Sequence, residues 1–325
     1  MLLKLDYYPE SFDPSLGSKL SQPGTLNVSV NRLMWSAITV GRDSWNKVVQ
    51  SGMYSAFEIV YRSALLLANL EMSKKQKIAK SSAYRNLDPS EKSGISYFIG
   101  LTCAKLLAQK LFGVNWLMHL DVYRAILKPQ LEPGASRPDL VGRDRSRRWL
   151  AFEAKGRSGG VTSEDKDEAK GQVDRLSTVS GEPVYLGVGL ISYFNSGDKL
   201  EVFLKDPPTD HGFSLNIDAE VFFKDYYKLF IDLVDSGYGH VERVSLGGRH
   251  YLVKHIRESD TRIGIDEKLY NHGKRGTGKE LLERVALSLP TNRDESHEAT
   301  GPLAGEDGIY VDVGRKWTSR FVGAK

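Results

Sequence analysis

The stretch that most narrows what this chain can fold into is residues 137–155, "RPDLVGRDRSRRWLAFEAK". Two apolar runs flank an arginine-rich polar centre, so the spacing predicts a β-hairpin with strands over 137–143 and 148–155. With the apex at Ser146, Asp139 comes to lie opposite Glu153. Side chains in that relation have Cβ atoms roughly 4.5–5.5 Å apart, and like charges there repel. A purely structural hairpin gains nothing from such a pair. Two carboxylates sharing one hard cation do gain, since Mg²⁺ takes oxygen ligands at about 2.0–2.1 Å. Strand alternation turns Lys155 to the face of Glu153, and Phe152 and Ala154 to the other. An ammonium beside such a cation can hold a water and offset charge in a transition state. The competing reading is an ordinary hairpin carrying solvated charges.

The segments around this hairpin follow from local signals. In "DPSEKSGISYFIGLTCAKLLAQKLFG", Asp88 suits an N-cap, Pro89 the first helical position, Glu91 a capping box and Gly113 a terminator. They predict a helix over 89–112. Residues 114–127 read as a strand, and "TSEDKDEAKGQVDRLSTVSG" as a helix from about 163 to 179. "PVYLGVGLISYF" is a continuous apolar run, a buried strand, with "KLEVFLK" as a neighbour. Before this core, residues 25–31 alternate like a short strand. The spacing from Arg32 to Leu70 is closer to helical, with Trp35, Val48, Phe57, Val60 and Leu66 as core candidates. After it, "IDAEVFFKDYYKLFIDLVDSG" is an amphipathic helix with Phe222, Tyr226, Phe230 and Leu233 on one side. Residues 288–307 read as loop, and "GIYVDVG" as a late strand.

The central order is therefore helix, strand, strand, strand, helix, strand. With Pro138-Asp139 followed after thirteen residues by Glu153-Ala154-Lys155, it resembles the PD-(D/E)XK nuclease superfamily. The resemblance covers roughly residues 89–205. It implies an α/β fold with a restriction-endonuclease-like core, an αβββαβ mixed central sheet flanked by helices. The expected parts are a mostly helical N-terminal region over 1–88, the nuclease-like core over 89–206 and a mixed α/β C-terminal region over 207–325. It implies Mg²⁺, with Mn²⁺ as a substitute, bound by Asp139 and Glu153 with the Ala154 carbonyl as a further donor. Lys155 would position or activate the water. Many members carry a supporting Gln or Lys on the following helix, where Gln172 fits best and Lys170 is the alternative. Many also carry a Glu on the first helix. Glu91 is the candidate, although its capping role explains it as well; His119 and Asp121 are alternatives. The implied activity is endonucleolytic hydrolysis of nucleic acid, double-stranded DNA above all, in a restriction or antiviral-defence setting. The alternative is a degenerate nuclease fold in a non-cleaving binding or assembly subunit, alone as a homodimer or with a partner subunit.

Charge agrees with a polyanionic partner. The net charge is +4, and residues 137–157 alone hold seven basic against three acidic residues. Arg137, Arg143, Arg145, Arg147, Arg148, Arg157 and Lys170 are the expected nucleic-acid contacts, in a salt-sensitive interface. A charge run is also the ordinary composition of a solvated face. The single cysteine, Cys103, excludes an internal disulfide and reads as a small buried hydrophobe. The N-terminal apolar run is too short for a signal peptide and no window is long enough for a membrane span, so a cytoplasmic location is expected. "GKRGTGKE" at 273–280 departs from a P-loop: Glu280 stands where Ser or Thr should hold Mg²⁺, and no apolar strand precedes it. Thr277 and Glu280 instead suit a capping box. The seven histidines show no metal spacing, and no Ser or Cys hydrolase motif stands out.

Overall fold

The computed structural model describes residues 2–40, 52–123, 137–166, 176–206, 213–275, 282–289 and 301–322. Strands β1 (Leu2–Glu10) and β2 (Gly24–Ser29) lead into helices α1 (Val30–Thr39) and α2 (Gly52–Asn69). The small hairpin β3 (Leu70–Met72) and β4 (Ile78–Lys80), the short α3 (Ser82–Arg85) and the long α4 (Pro89–Phe112) follow. Then come β5 (Val114–His119), β6 (Leu140–Asp144), β7 (Trp149–Gly156), β8 (Leu176–Val179), β9 (Glu182–Phe194), β10 (Leu200–Lys205) and β11 (Phe213–Leu215). The C-terminal part holds α5 (Ala219–Asp235), β12 (Val241–Leu246), β13 (Arg249–Ile256), β14 (Thr261–Asp266), α6 (Glu267–Arg275), α7 (Leu282–Ser288), β15 (Leu303–Ala304), β16 (Ile309–Val313) and α8 (Arg315–Val322). The chain is a mixed α/β protein.

The main sheet runs β2-β1-β10-β9-β7-β6-β5. Pairing is antiparallel within β5-β6-β7, parallel between β7 and β9, antiparallel between β9 and β10, and parallel between β10 and β1. β1 owes its place to alternation: Leu3, Leu5 and Tyr7 are buried while their neighbours are half-exposed. It pairs with β10 from Asp6↔Glu201 to Glu10↔Lys205. The region before residue 89 thus contributes two strands to the main sheet and the β3–β4 hairpin as well as helices, and the main sheet spans both sides of residue 88. A second sheet, β12-β13-β14-β16-β15, is formed by the C-terminal part.

α4 forms where its caps predict. Asp88 accepts from the Ser90 and Glu91 amides, Glu91 reaches back to the Asp88 N–H, and Gly113 closes the helix at φ 69°. The helix buries Cys103, where burial pushes the thiol up to about 12. α5 is held by edge-to-face aromatic pairs, Phe222 on Trp149 at 5.1 Å and Phe223 on Trp116 at 5.0 Å.

Several expectations are corrected. The helix beginning near 163 is present over 163–166, started by Thr162, but 176–179 form β8. The β-branched and apolar "LSTV" pairs with β9 and β11 instead of continuing a helix. The strand from 114 ends at His119 and turns into a 3₁₀ segment, Leu120–Tyr123. Of the core candidates, Trp35 and Leu66 are buried, but Phe57 is 52% exposed; Val48 lies outside the described residues. Leu303–Ala304 and the buried Glu306 and Asp307 interrupt the stretch read as loop.

The contact between α4 and β7 is close because it is made by glycines. A Cβ on Gly156 would sit 1.8 Å from the Ser96 carbonyl oxygen, and one on Gly100 would meet the Lys155 and Gly156 backbone at 3.0 Å. Gly156→Ala is therefore expected to push the helix off the strand and cost about 1–3 kcal/mol. A urea midpoint equal to that of the native chain would refute this.

Candidate active site

The observed hairpin register is Leu140↔Phe152, Val141↔Ala151, Gly142↔Leu150 and Arg143↔Trp149. Extended by one residue, it places Asp139 across from Glu153. The reversal at the tip is taken by Arg147 in the left-handed region, φ 64°, with its N–H donating to the Asp144 carbonyl at 3.1 Å.

Asp139 is fixed from two sides. Its Oδ2 accepts the Ala154 N–H at 3.0 Å, and its carbonyl accepts the Leu120 N–H at 2.7 Å. The carboxylate is thereby anchored to the amide lying between Glu153 and Lys155. Burial pushes the Asp139 carboxyl above its ordinary range. The Ala154 N–H pulls it back, as do the charges of His119 and Lys155, while Asp121 pushes it further up; burial prevails. Glu153 is buried, at 5% exposure. On its β9 side stand Gly187 and Gly189, aligned with Ala151 and Glu153, so β9 puts no side chain directly beside either. Lys155 is half-buried and aligned with Ile191, which clusters with Phe203, Tyr8, Val161 and Tyr193.

No group of three or more His, Cys, Asp or Glu side chains is arranged to hold a metal ion among the described residues. Two carboxylates do not make a closed zinc centre. They do fit Mg²⁺, which keeps several waters and takes one or two carboxylates plus substrate oxygens. Glu91 does not complete a third carboxylate. The Asp88 N–H donates to its Oε2 at 3.3 Å, and it stands at the helix start on the rim of a separate cavity.

That cavity, of about 540 Å³, is lined by Tyr61, Arg62, Glu91, Tyr97, His119 and Asp121 together with apolar groups. The Asp121 N–H donates to His119 Nδ1 at 3.2 Å, which leaves the proton of a neutral ring on Nε2, facing the Tyr97 hydroxyl at 3.1 Å. Asp121 is ion-paired with Arg137. No local pattern in the sequence marks this cavity, because its walls come from α2, α4 and the end of β5.

The hairpin arginines are placed differently from the expected phosphate contacts. Arg143 is buried, stacked over Trp149 at 4.6 Å and paired with Glu283 at 3.4 Å. Arg145 donates to the carbonyls of Leu287, Leu289 and Glu306. Arg148 is paired with Asp144 at 2.7 Å and lies 3.8 Å over the Tyr185 ring. Arg147 is exposed at the tip. At about 3.3 Å per residue the tip is roughly 20 Å along the strands from Asp139 and Glu153. Only Arg137 and Arg157 stand near the carboxylates in the chain, and Arg157 is paired with Asp165 at 2.6 Å. Arg143 is thus held inside the fold by Trp149 and Glu283, and Arg145 by three backbone carbonyls. Lys170 and Gln172, and the Thr277–Glu280 pair, lie outside the described residues.

Among the described residues no helix is long and apolar enough to cross a membrane. Comparison of the chain with protein-family models, curated proteins and solved structures finds no match.

Proposed function

We propose that this chain hydrolyses phosphodiester bonds of nucleic acid at the Asp139–Glu153–Lys155 site, with Mg²⁺ as cofactor and Mn²⁺ as substitute. The observation that carries the reading is the hairpin register, with Asp139 hydrogen-bonded to the amide between Glu153 and Lys155. The succession of α4, antiparallel β5-β6-β7, the helical turn at 163–166 and parallel β9 supports a restriction-endonuclease-like core.

Asp139 and Glu153 would hold the cation, which supplies Lewis-acid polarisation of a phosphoryl oxygen and acidifies a bound water. Lys155, on the face of Glu153, would orient the attacking water and offset charge on the phosphoryl oxygens. The Ala154 amide keeps Asp139 from swinging away. The test is a divalent-metal cleavage assay over single- and double-stranded DNA and RNA, with Lys155→Ala as control. The absence of any three-acid group among the described residues favours a second reading, a non-cleaving nucleic-acid-binding or assembly subunit. Binding without cleavage, indifferent to these substitutions, would support it.

Asp139 makes metal binding pH-dependent. Its folded pKa lies above the ordinary 3.8. In the metal-free protein, its contribution to stability is present below about pH 3.8 and is lost as pH rises through the folded pKa. Mg²⁺ must displace that proton, so its apparent affinity should rise with pH over the same window. Mg²⁺ titrations followed by thermal shift at a series of pH values check this; an affinity flat with pH would remove Asp139 from the ligand set.

A further inference from the structure

The cavity on the α4 face near Asp139 has features of its own that the hydrolysis reading does not use. Its volume, about 540 Å³, falls within the range of small-ligand pockets, roughly 300–1,000 Å³. It is too small for a duplex and ample for one base. Its wall on α4 bears Gly94, Tyr97 and Leu101, and a Cβ at Gly94 would meet nothing within 4 Å. Ser96 and Gly100, on the same turns, are the residues packed against Lys155 and Gly156. On the other side His119 and Asp121 line the cavity and act electrostatically on Asp139. The cavity therefore lies near Asp139 at that end of the sheet, on the α4 face, whereas Glu153 and Lys155 point to the opposite face.

The lining points to the kind of ligand. Arg62 is committed to the carbonyls of Ala37 and Val40, at 2.8 and 2.7 Å, and to Glu58. The other ionisable groups are the Glu91 and Asp121 carboxylates and His119, with Asp121 paired to Arg137, a lining that offers little to hold a phosphate. Aromatic rings, by contrast, are held out at the cavity. Tyr97 is 43% exposed and Tyr61 52%, and Phe57, also 52% exposed, lies one helical turn before Tyr61 on the same side of α2. Exposed rings along a track are the stacking platforms used for unpaired bases, since every base offers a π-face.

We propose that this cavity takes an unpaired nucleobase from a strand that passes the Asp139 end of the sheet, so that the substrate is single-stranded or locally unpaired nucleic acid rather than intact duplex. This inference rests on the phosphodiester-hydrolase reading for the phosphate's place, and on the cavity alone for the base. Tyr97 stacks on the base, and Phe57 and Tyr61 carry the next bases along α2.

The test measures binding of the full chain in EDTA, so that hydrolysis does not interfere. The probes are a fluorescently labelled single-stranded DNA oligonucleotide and the same strand annealed to its complement. The single strand is expected to bind at least about tenfold tighter, with Tyr97→Ala and the cavity-filling Gly94→Leu each weakening it about tenfold and Tyr97→Phe retaining it. Unchanged melting temperatures establish that the variants fold. Equal or tighter duplex binding, or indifference to Tyr97→Ala and Gly94→Leu, overturns the proposal. If the native chain and both variants then still cleave with Mg²⁺, hydrolysis stands without the pocket. If the variants lose single-strand binding while no divalent ion supports cleavage, the pocket stands and hydrolysis falls.

Discussion

Lys155→Ala and Asp139→Asn are each expected to lower Mg²⁺-dependent cleavage by about 10²–10⁴-fold while leaving the fold intact. The physical reasons differ. Lys155 contributes a charge on the face of Glu153, and alanine removes that charge without disturbing the strand backbone. Asp139→Asn keeps an oxygen for the Ala154 N–H and loses only the negative charge. Because burial already disfavours the ionised Asp139 carboxyl, this variant should melt no lower than the native chain without metal. Added Mg²⁺ should raise the melting temperature of the native chain and leave that of Asp139→Asn nearly unmoved. Cleavage by Asp139→Asn at the native rate, or an equal Mg²⁺ shift in both proteins, would sink the site as described.

The largest stability effect is expected far from that site. Arg32, fully buried on α1, pairs bidentately with Glu306 at 2.6 and 3.1 Å. Beside it the buried Asp307 accepts from Trp35 Nε1 at 3.0 Å and from the Tyr226 hydroxyl. The buried Lys105 donates to the Asn115 carbonyl and to Tyr226. Burial pulls the Lys105 ammonium down to about 7, against the pull of Asp307 and Glu306. Glu306→Leu leaves the Arg32 guanidinium buried without its carboxylate, at an expected cost of about 3–5 kcal/mol. The double variant Arg32→Met/Glu306→Leu should recover most of that loss, since neither charge then remains to be desolvated. Urea denaturation of the single and double variants decides it; a Glu306→Leu loss under about 1 kcal/mol would show that the pair carries no such weight. Burial pushes the Glu306 carboxyl up, but Arg32 outweighs it and holds the group below its ordinary 4.5. The pair's contribution is thus present above about pH 4.5 and lost as pH falls through the lower folded value.

What could be read in the sequence was what neighbouring residues decide among themselves. α4 announces itself through Asp88, Pro89, Glu91 and Gly113, all within its own ends. The hairpin register follows from a turn a few residues long, and with it the relation of Asp139 to Glu153. The misreadings share a cause in distant partners. "LLKLDYYPE" alternates, but nothing near it says that its partner is β10. The acids at 306 and 307 sit in a polar run that looks solvated, and only Arg32, Trp35 and Tyr226 draw them inside. The hairpin arginines read as a phosphate-facing patch because the sequence does not reveal Tyr185, Glu283 and the carbonyls of Leu287, Leu289 and Glu306 beside them. The cavity was invisible because α2, α4 and β5 meet there from separate parts of the chain.

The parallel seam between β1 and β10 also sets an order of events during synthesis. The first strand leaves the ribosome well before β10 and can pair with β2, and Lys4 can meet Gln76 and Lys77, but the Asp6–Glu10 part of its other edge has no partner until residues 201–205 emerge. A sheet closed by so distant a partner accumulates slowly, because long-range pairing must first meet the cost of loop closure. Until then an edge with Leu3, Leu5 and Tyr7 on one face remains open to other strands. Chains arrested before residue 200 are therefore expected to aggregate or to depend on chaperones more than the full chain, which co-sedimentation of stalled chains would check.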